Sequence, residues 1–118
     1  MAINPTDPYI GPMTTQHEQE ERRGNDEYEI VDDAGAGRYE ARLAGGTVVG
    51  YLEYQTDGDT ITMPSTVVDP RHRGHGIAAR LARTALDAAR DAGKKVDPQC
   101  WYVAEYIEKH PEYAPLVG

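Results

Sequence analysis

Apolar and polar residues alternate along the middle of the chain and predict a series of short strands. Residues 38–43 give the clearest pattern, because Tyr39, Ala41 and Leu43 alternate with charged side chains, as in a strand with one buried face. Gly-Gly and Asp-Gly pairs between such stretches are typical of hairpin turns. Together these signals predict strands at residues 27–31, 38–43, 47–54, 60–63, 65–68 and 95–100.

Two residues in this region predict irregular strands. Gly50 lies inside the stretch 47–54, and a glycine within a strand often marks a bulge. Pro64 lies between the stretches 60–63 and 65–68 and has no backbone N–H to donate to a neighbouring strand. We therefore expect the strand to kink or bulge at Pro64.

The second half of the chain carries the apolar spacing of two helices. Residues 74–92 are rich in alanine and place their larger apolar side chains on one side, and Gly93 is a suitable C-terminal cap. Residues 101–110 predict a second helix, which Pro111 ends. A β-meander followed by a βαβ-like unit and a final helix predicts the α/β (α+β) class, with a mixed, mostly antiparallel sheet and two helices.

Charge is distributed unevenly along the chain. The net charge is −8; residues 1–33 contribute −7, whereas residues 71–95 carry +5. We interpret residues 1–25, which contain three prolines, as a flexible acidic leader and residues 26–118 as one domain. The positive region would favour an anionic ligand, and the overall acidity disfavours nucleic acid as a partner.

The remaining composition narrows the class of protein. No apolar run approaches 18 residues, so no membrane partner is expected, and no signal peptide is visible. Cys100 is the single cysteine and cannot form an internal disulfide, which suits a cytoplasmic location. No spacing of His, Cys or Asp suggests a metal, and nothing in the sequence indicates the oligomeric state.

The most informative segment, residues 67–78, joins a predicted strand to a predicted helix. Its turn contains Gly74 and Gly76, and glycines allow the backbone to approach a ligand and to point several N–H groups in one direction. The helix that follows contributes the positive end of its dipole. These features predict a binding site for a phosphate or pyrophosphate.

Two cofactor interpretations are open at this point. Gly74-x-Gly76-x-x-Ala79, with Asp97 at the next strand, matches a dinucleotide-binding fingerprint. Against it, bulky charged residues precede the glycines, β structure precedes the motif, and only 21 residues follow Asp97. A nucleoside-triphosphate loop is disfavoured because no Lys-Ser/Thr pair follows the glycines.

The other interpretation uses Arg71-x-x-Gly74-x-Gly76, which resembles the coenzyme A pyrophosphate loop of GNAT-superfamily N-acetyltransferases. The wider run from Ser65, together with the segment that begins Cys100-Trp101, is similar to the minimal, stand-alone domains of that superfamily. The resemblance covers residues 27–113. It implies a minimal GNAT fold, acetyl-coenzyme A as co-substrate and transfer of an acetyl group to an unidentified small-molecule or peptide amine.

The resemblance also implies a cofactor site. Backbone amides of residues 72–77 would hold the pyrophosphate, with that of Ala78 nearby, and the amide of Val68 would polarise the acetyl carbonyl. The two strands that diverge around Val67 and residues 97–100 would leave a V-shaped slot for the thioester. The cofactor-binding residues expected in this way are Val68, Arg71, His72, Arg73, Gly74, His75, Gly76, Ile77 and Ala78.

Two catalytic candidates come from the same resemblance. Tyr106 lies where larger relatives often have the acid that protonates the leaving thiolate, although packing of the helix would also explain a tyrosine there. Cys100 lies close to the expected thioester, either as an acetyl-accepting nucleophile or as a small buried residue. The group usually carries His where this chain has Ser65, and the helices that shape the acceptor site in larger relatives have no counterpart. A non-catalytic acyl-coenzyme A-binding or regulatory module is therefore the alternative.

Overall fold

The computed structural model describes residues 28–117, so the prediction of a leader at residues 1–25 lies outside the described residues. Seven strands, two α-helices and two short 3-10 helices form this part of the chain. They are β1 (Tyr28–Asp33), β2 (Arg38–Leu43), β3 (Val48–Glu53), β4 (Gln55–Asp57), β5 (Thr60–Thr62), β6 (Thr66–Val68), a 3-10 helix (Pro70–His72), α1 (Ile77–Asp91), β7 (Lys95–Asp97), α2 (Trp101–Lys109) and a 3-10 helix (Pro111–Leu116).

The strands form two sheets rather than the single sheet that the sequence predicts. One is antiparallel with the order β1-β2-β3-β6, and the other has the order β4-β5-β7, in which β5 and β7 are parallel. The division falls at residues 63–65, between β5 and β6, where Pro64 was expected to interrupt the strand. The mixed α+β class with two main helices is confirmed.

A bulge occurs beside the expected position. Ala41 pairs with Gly50, but the next residue, Arg42, pairs with Val48, so Val49 is the extra residue of β3. Gly50 itself allows β3 and α1 to pack closely. A Cβ atom built on Gly50 would lie 3.0 Å from Cγ2 of Ile77 and 3.2 Å from the carbonyl oxygen of Val67. The missing side chain therefore lets the first turn of α1 rest directly on β3.

The helix α1 begins three residues later than its sequence pattern predicts, because Gly74 and Gly76 have positive φ angles of 87° and 77° and cannot be helical. Its C-terminus agrees with the prediction. Gly93 has a φ of 70°, the Gly93 amide donates to the carbonyl of Arg90, and the next amide donates to that of Ala89. The inner face of the helix is buried against the antiparallel sheet through Ile77, Leu81, Ala82, Ala85, Leu86 and Ala89.

The C-terminal residues are more ordered than the sequence predicts. After α2 the chain continues as a 3-10 helix that buries Tyr113, whose hydroxyl donates a 2.6 Å hydrogen bond to Asp87 Oδ1 on α1. Burial, reinforced by this carboxylate, raises the pKa of Tyr113 to about 12. The contact ties the end of the described chain to α1. No helix within residues 28–117 is long and apolar enough to cross a membrane.

One face of the antiparallel sheet packs on α1, and the opposite face, here called the outer face, carries the alternate side chains. Its centre is Glu40, which is only 3% exposed. Oε2 of Glu40 accepts from Nε of Arg38 at 2.6 Å, and Oε1 accepts from Nε and Nη2 of Arg42 at 2.8 and 2.6 Å. The hydrogen bond from Arg38, followed by that from Arg42, holds the pKa of Glu40 below its ordinary value.

Replacing Glu40 with glutamine should lower the midpoint of thermal unfolding by about 5 °C or more at neutral pH, because an amide cannot match two guanidinium groups. Since folding lowers the pKa of Glu40, its stabilisation is complete above the value of about 4.5 expected in the unfolded chain. It is lost as the pH falls through the folded pKa. Thermal unfolding followed by circular dichroism between about pH 3 and 7 should therefore show the two proteins converging at the acidic end.

The control for this prediction is Glu29→Gln, an exposed carboxylate on the same face of the sheet. This variant should unfold within about 2 °C of the wild-type protein at every pH, as expected for an exposed surface position. A constant difference between wild type and Glu40→Gln over the whole pH range would contradict the argument.

Candidate functional site

The chain diverges into a V at the end of β5. At the vertex, the amide of Met63 donates to the carbonyl of Asp97 at 3.0 Å, and the carbonyl of Met63 accepts from the amide of Cys100 at 2.9 Å. Beyond Met63 the chain crosses to the other sheet and pairs with β3 as β6. The residues after β7 instead turn into α2. The slot expected around Val67 and residues 97–100 therefore corresponds to a real separation of the two strands.

β6 is one of the two edge strands of the antiparallel sheet, and β1 is the other. The amide of Asp69 donates to the carbonyl of Val49 at 2.8 Å, and the amide of Glu53 donates to the carbonyl of Ser65 at 2.9 Å. Bonded and non-bonded positions alternate along an antiparallel pair, so the backbone groups of Thr66 and Val68 point away from β3. A ligand in the slot can meet these groups without breaking a bond of the sheet.

A cleft of about 520 Å³ extends from this edge to the glycine turn. Of the nine cofactor-binding residues expected from the sequence, seven line it, whereas Arg71 and His75 do not. The side chain of Arg71 is 86% exposed and pairs with Asp69 at 3.3 Å. The cleft is lined by Thr66, Val68, His72, Arg73, Gly74, Gly76, Ile77, Ala78, Ala79, Trp101 and Tyr102.

The glycine turn leaves the N-terminus of α1 open. Gly76 is the N-cap residue and has no side chain to cap the helix; the first helical bond there runs from the amide of Arg80 to the carbonyl of Gly76. The amides of Ile77, Ala78 and Ala79 precede this bond, so they have no partner within the helix. Because all three residues line the cleft, these donors and the helix dipole suit an anionic group such as a phosphate.

Asp69 fixes the chain that leads into this turn. Its carboxylate accepts from the Arg71 amide at 2.9 Å and so caps the 3-10 helix, while the Asp69 amide is held by β3. The hydrogen bond from the Arg71 amide is also the main reason that the pKa of Asp69 lies below its usual value. The sequence motif therefore folds as a short rigid connection followed by two glycines in the left-handed region.

Cys100 lies beside the cleft rather than in its lining. The residue is 5% exposed, and its Sγ lies 3.5 Å from Oγ1 of Thr66, which does line the cleft. It is also the N-cap residue of α2. The thiol thus bridges the two arms of the V close to the vertex.

Tyr106 and Tyr102 lie one turn apart on α2, and only Tyr102 lines the cleft. The Tyr106 ring stacks on that of His110, with centroids 3.9 Å apart, and also contacts Tyr113. Burial is the main cause of a raised pKa at both tyrosines. Sequence reasoning missed Tyr102 and treated Trp101 only as part of a motif. Both residues line the cleft because α2 begins at Trp101 and its first turn faces the cleft.

Residues 38–116 match the family described as GCN5-related N-acetyl-transferase. The match covers more than half of the 118 residues, so the chain belongs to the GCN5-related N-acetyltransferase family. At the level of the family, the protein is an acetyl-coenzyme A-dependent acetyltransferase domain. This assignment favours coenzyme A over a dinucleotide as the ligand of the glycine turn.

The chain is similar to two relatives and to one solved structure. Protein NATD1 of Mus musculus is 28% identical over 102 residues, which are 86% of this chain and 79% of that protein. A mycothiol acetyltransferase of Rhodococcus erythropolis is 44% identical over 57 residues, which are 48% of this chain and 19% of that protein. The chain is also similar to the GNAT family N-acetyltransferase YhbS of Escherichia coli, solved in complex with CoA: 27% identity, 50% of this chain, 37% of that chain and a TM-score of 0.46.

Proposed function

We propose that this protein transfers the acetyl group of acetyl-coenzyme A to the nitrogen of a small-molecule or peptide amine. The observation that carries the proposal is the cleft, which has the free amides at the N-terminus of α1 at one end and the strand-edge amides of β6 at the other. Acetyl-coenzyme A has the matching order of groups, with a pyrophosphate, an amide-containing arm and a thioester. The glycines fit it because a Cβ at Gly74 or Gly76 would enter open space within or beside the cleft.

In this proposal each part of the cleft has a separate role. The amides of Ile77 and its neighbours bind the pyrophosphate, and the edge of β6 pairs with the pantetheine arm as an added strand would. The amide of Thr66 or Val68 donates to the thioester oxygen, where negative charge develops as the amine attacks. The C–N bond then forms and the C–S bond breaks; the nitrogen loses a proton and the leaving thiolate receives one.

Binding and turnover are tested separately. Trp101 is the single tryptophan of the chain and is 74% exposed at the cleft, so its fluorescence should change and saturate as acetyl-coenzyme A is added. Release of free thiol in the presence of polyamines, lysine peptides or small amines then measures transfer. Absence of binding at millimolar acetyl-coenzyme A would overturn the proposal, and binding without thiol release from any acceptor would support a non-catalytic module.

Two phenols are candidates for the proton donor, and their variants should differ. Because Tyr102 lines the cleft, we expect Tyr102→Phe to reduce turnover by about 10- to 100-fold, while Tyr106→Phe changes it less than about 3-fold. The raised pKa keeps the Tyr102 phenol protonated, hence able to donate, throughout the neutral range, and its activity should be lost only as the pH rises through that pKa. The reverse ranking of the two variants would assign the proton donor to Tyr106, as the sequence predicts.

Cys100 is tested with the same assay. If the thiol accepts the acetyl group before the amine does, Cys100→Ala should abolish turnover, and mass spectrometry of the wild-type protein should detect one added acetyl group. If Cys100 only packs between the arms of the V, the alanine variant should retain most of its turnover.

A further inference from the structure

The outer face of the antiparallel sheet lies behind the slot and contains a second, smaller concavity. The helix α1 packs on the other face of this sheet. On the outer face, a groove of about 340 Å³ crosses β2, β3 and β6. Its walls include Tyr51 and Val67, which are paired neighbours on β3 and β6. Val67 is 45% exposed and is available to a ligand, while the guanidinium carbon of Arg38 lies 4.4 Å from the centroid of the Tyr51 ring.

The next pair along the same two strands is polar. Ser65 Oγ donates a 2.6 Å hydrogen bond to Glu53 Oε1, and both side chains are partly buried. Ser65 precedes Thr66, so this pair lies on the outer face immediately beside a residue of the cleft. Tyr51 and Glu53 are two residues apart on β3, which corresponds to about 7 Å along a strand. The Glu53 carboxylate is therefore the next outer-face group after the Tyr51–Val67 wall.

The carboxylates beside the groove differ in their ion pairs. Both outer-face arginines bind Glu40, and Asp69 at the far end of the groove is bonded to Arg71. Among the ion pairs of residues 28–117, none involves Glu53, so this carboxylate is available to a cation from outside. A partly buried carboxylate that already has a hydroxyl donor on one oxygen suits an ammonium group on the other.

We infer that Glu53, held by Ser65, binds the ammonium group of the acceptor and takes its proton. The acceptor is a primary amine on an apolar chain, which lies along Tyr51 and Val67 and reaches the thioester from the outer face. This inference rests on the proposed function. The ammonium proton passes to a carboxylate oxygen of Glu53, and the neutral nitrogen bonds to the acetyl carbon as the C–S bond breaks. The nitrogen then loses its second proton, the thiolate gains one and leaves as the thiol, and Glu53 returns its proton to solvent.

The test compares Glu53→Gln with Glu29→Gln, a carboxylate on the same face that lies on β1. With hexylamine or phenethylamine as acceptor, Glu53→Gln should lower kcat/KM by about 100-fold or more. Its affinity for acetyl-coenzyme A, read from Trp101 fluorescence, should stay within about 2-fold of wild type, because Glu53 and α1 lie on opposite faces of the sheet. Ser65→Ala should lower kcat/KM by about 3- to 10-fold, since it removes one hydrogen bond from Glu53.

The pH dependence separates proton transfer from a structural role. Activity of Glu53→Gln should recover towards wild type as the pH approaches the pKa of the free amine, because solvent then supplies the neutral nucleophile. Calorimetric titration of hexylamine into the protein saturated with coenzyme A should show weaker binding for this variant even if turnover is absent. Equal amine affinity and kcat/KM in the Glu53 and Glu29 variants would overturn the inference, whereas failure to bind acetyl-coenzyme A would overturn the proposed function instead.

Discussion

Replacing Gly76 with valine should weaken acetyl-coenzyme A binding by at least about 100-fold, because the change disturbs the phosphate-binding amides at the N-terminus of α1 in two ways. Gly76 has a φ of 77°, in the left-handed region that a β-branched residue adopts only under strain. Relief of that strain would rotate the amides of the first turn of α1. The valine side chain would also enter the cleft that Gly76 lines. Calorimetric titration with acetyl-coenzyme A measures the loss.

The opposite end of the same helix provides a matched control. Gly93 has a φ of 70°, and a Cβ built on it would meet nothing within 4 Å, as at Gly76. Gly93→Val therefore introduces a comparable backbone strain, and it should lower stability without changing the affinity for acetyl-coenzyme A. If both variants lost affinity equally, the effect would be one of helix stability, and the glycine turn would not be the binding site.

Replacing Gly50 with valine should both destabilise the fold, by about 1 to 3 kcal/mol, and weaken acetyl-coenzyme A binding by roughly 10-fold or more. The new Cβ would lie 3.0 Å from Ile77 Cγ2 and 3.2 Å from the carbonyl oxygen of Val67, so the first turn of α1 must move away from β3. Ile77 also lines the cleft, and a shift there displaces the phosphate-binding amides. Denaturant unfolding and Trp101 fluorescence measure the two effects.

Gly45 offers the comparison for this second variant, since a Cβ there meets nothing within 4 Å and the residue needs no positive φ. Gly45→Val should leave both measurements near their wild-type values. The contact itself is tested by combining Gly50→Ala with Ile77→Ala, which removes the Cγ2 atom that is too close. The double variant should be less destabilised than the sum of the two single variants, and strict additivity would exclude this steric explanation.

The glycine turn could be predicted from sequence because its signal is local. Two glycines after a strand and before an alanine-rich helix allow few other structures. Seven of the nine residues that the family resemblance implies line the cleft. The exact start of α1 could not be predicted in the same way. Gly74 and Gly76 directly precede the apolar spacing of the helix, and their positive φ angles exclude them from it.

Features that depend on residues far apart in the sequence were harder to predict. The separation into two sheets requires β7 to pair with β5 while β6 pairs with β3, and no local pattern fixes both partners. The 3-10 helix that begins at Pro111 is tied by the Tyr113 hydroxyl to Asp87 on α1, 26 residues earlier in the chain. Likewise, the pairing of Glu53 with Ser65 depends on the register between β3 and β6.

The choice between Tyr102 and Tyr106 shows the same limit within one helix. Both residues lie on the same side of α2, so helical periodicity cannot separate them. What distinguishes them is the position of the cleft along the helix axis. The first turn faces the glycine turn, whereas the second packs against the 3-10 helix and His110.

The open edge of β6 also bears on how copies of this protein behave towards one another. An unpaired strand edge is a template for pairing with another chain, and it favours aggregation. Here the exposed edge is only three residues long and lies between Pro64 and Pro70, neither of which can donate a backbone hydrogen bond. A pantetheine arm bound along this edge would cover it, so the co-substrate would take the place of a further strand, and the two prolines limit pairing through this edge when it is absent.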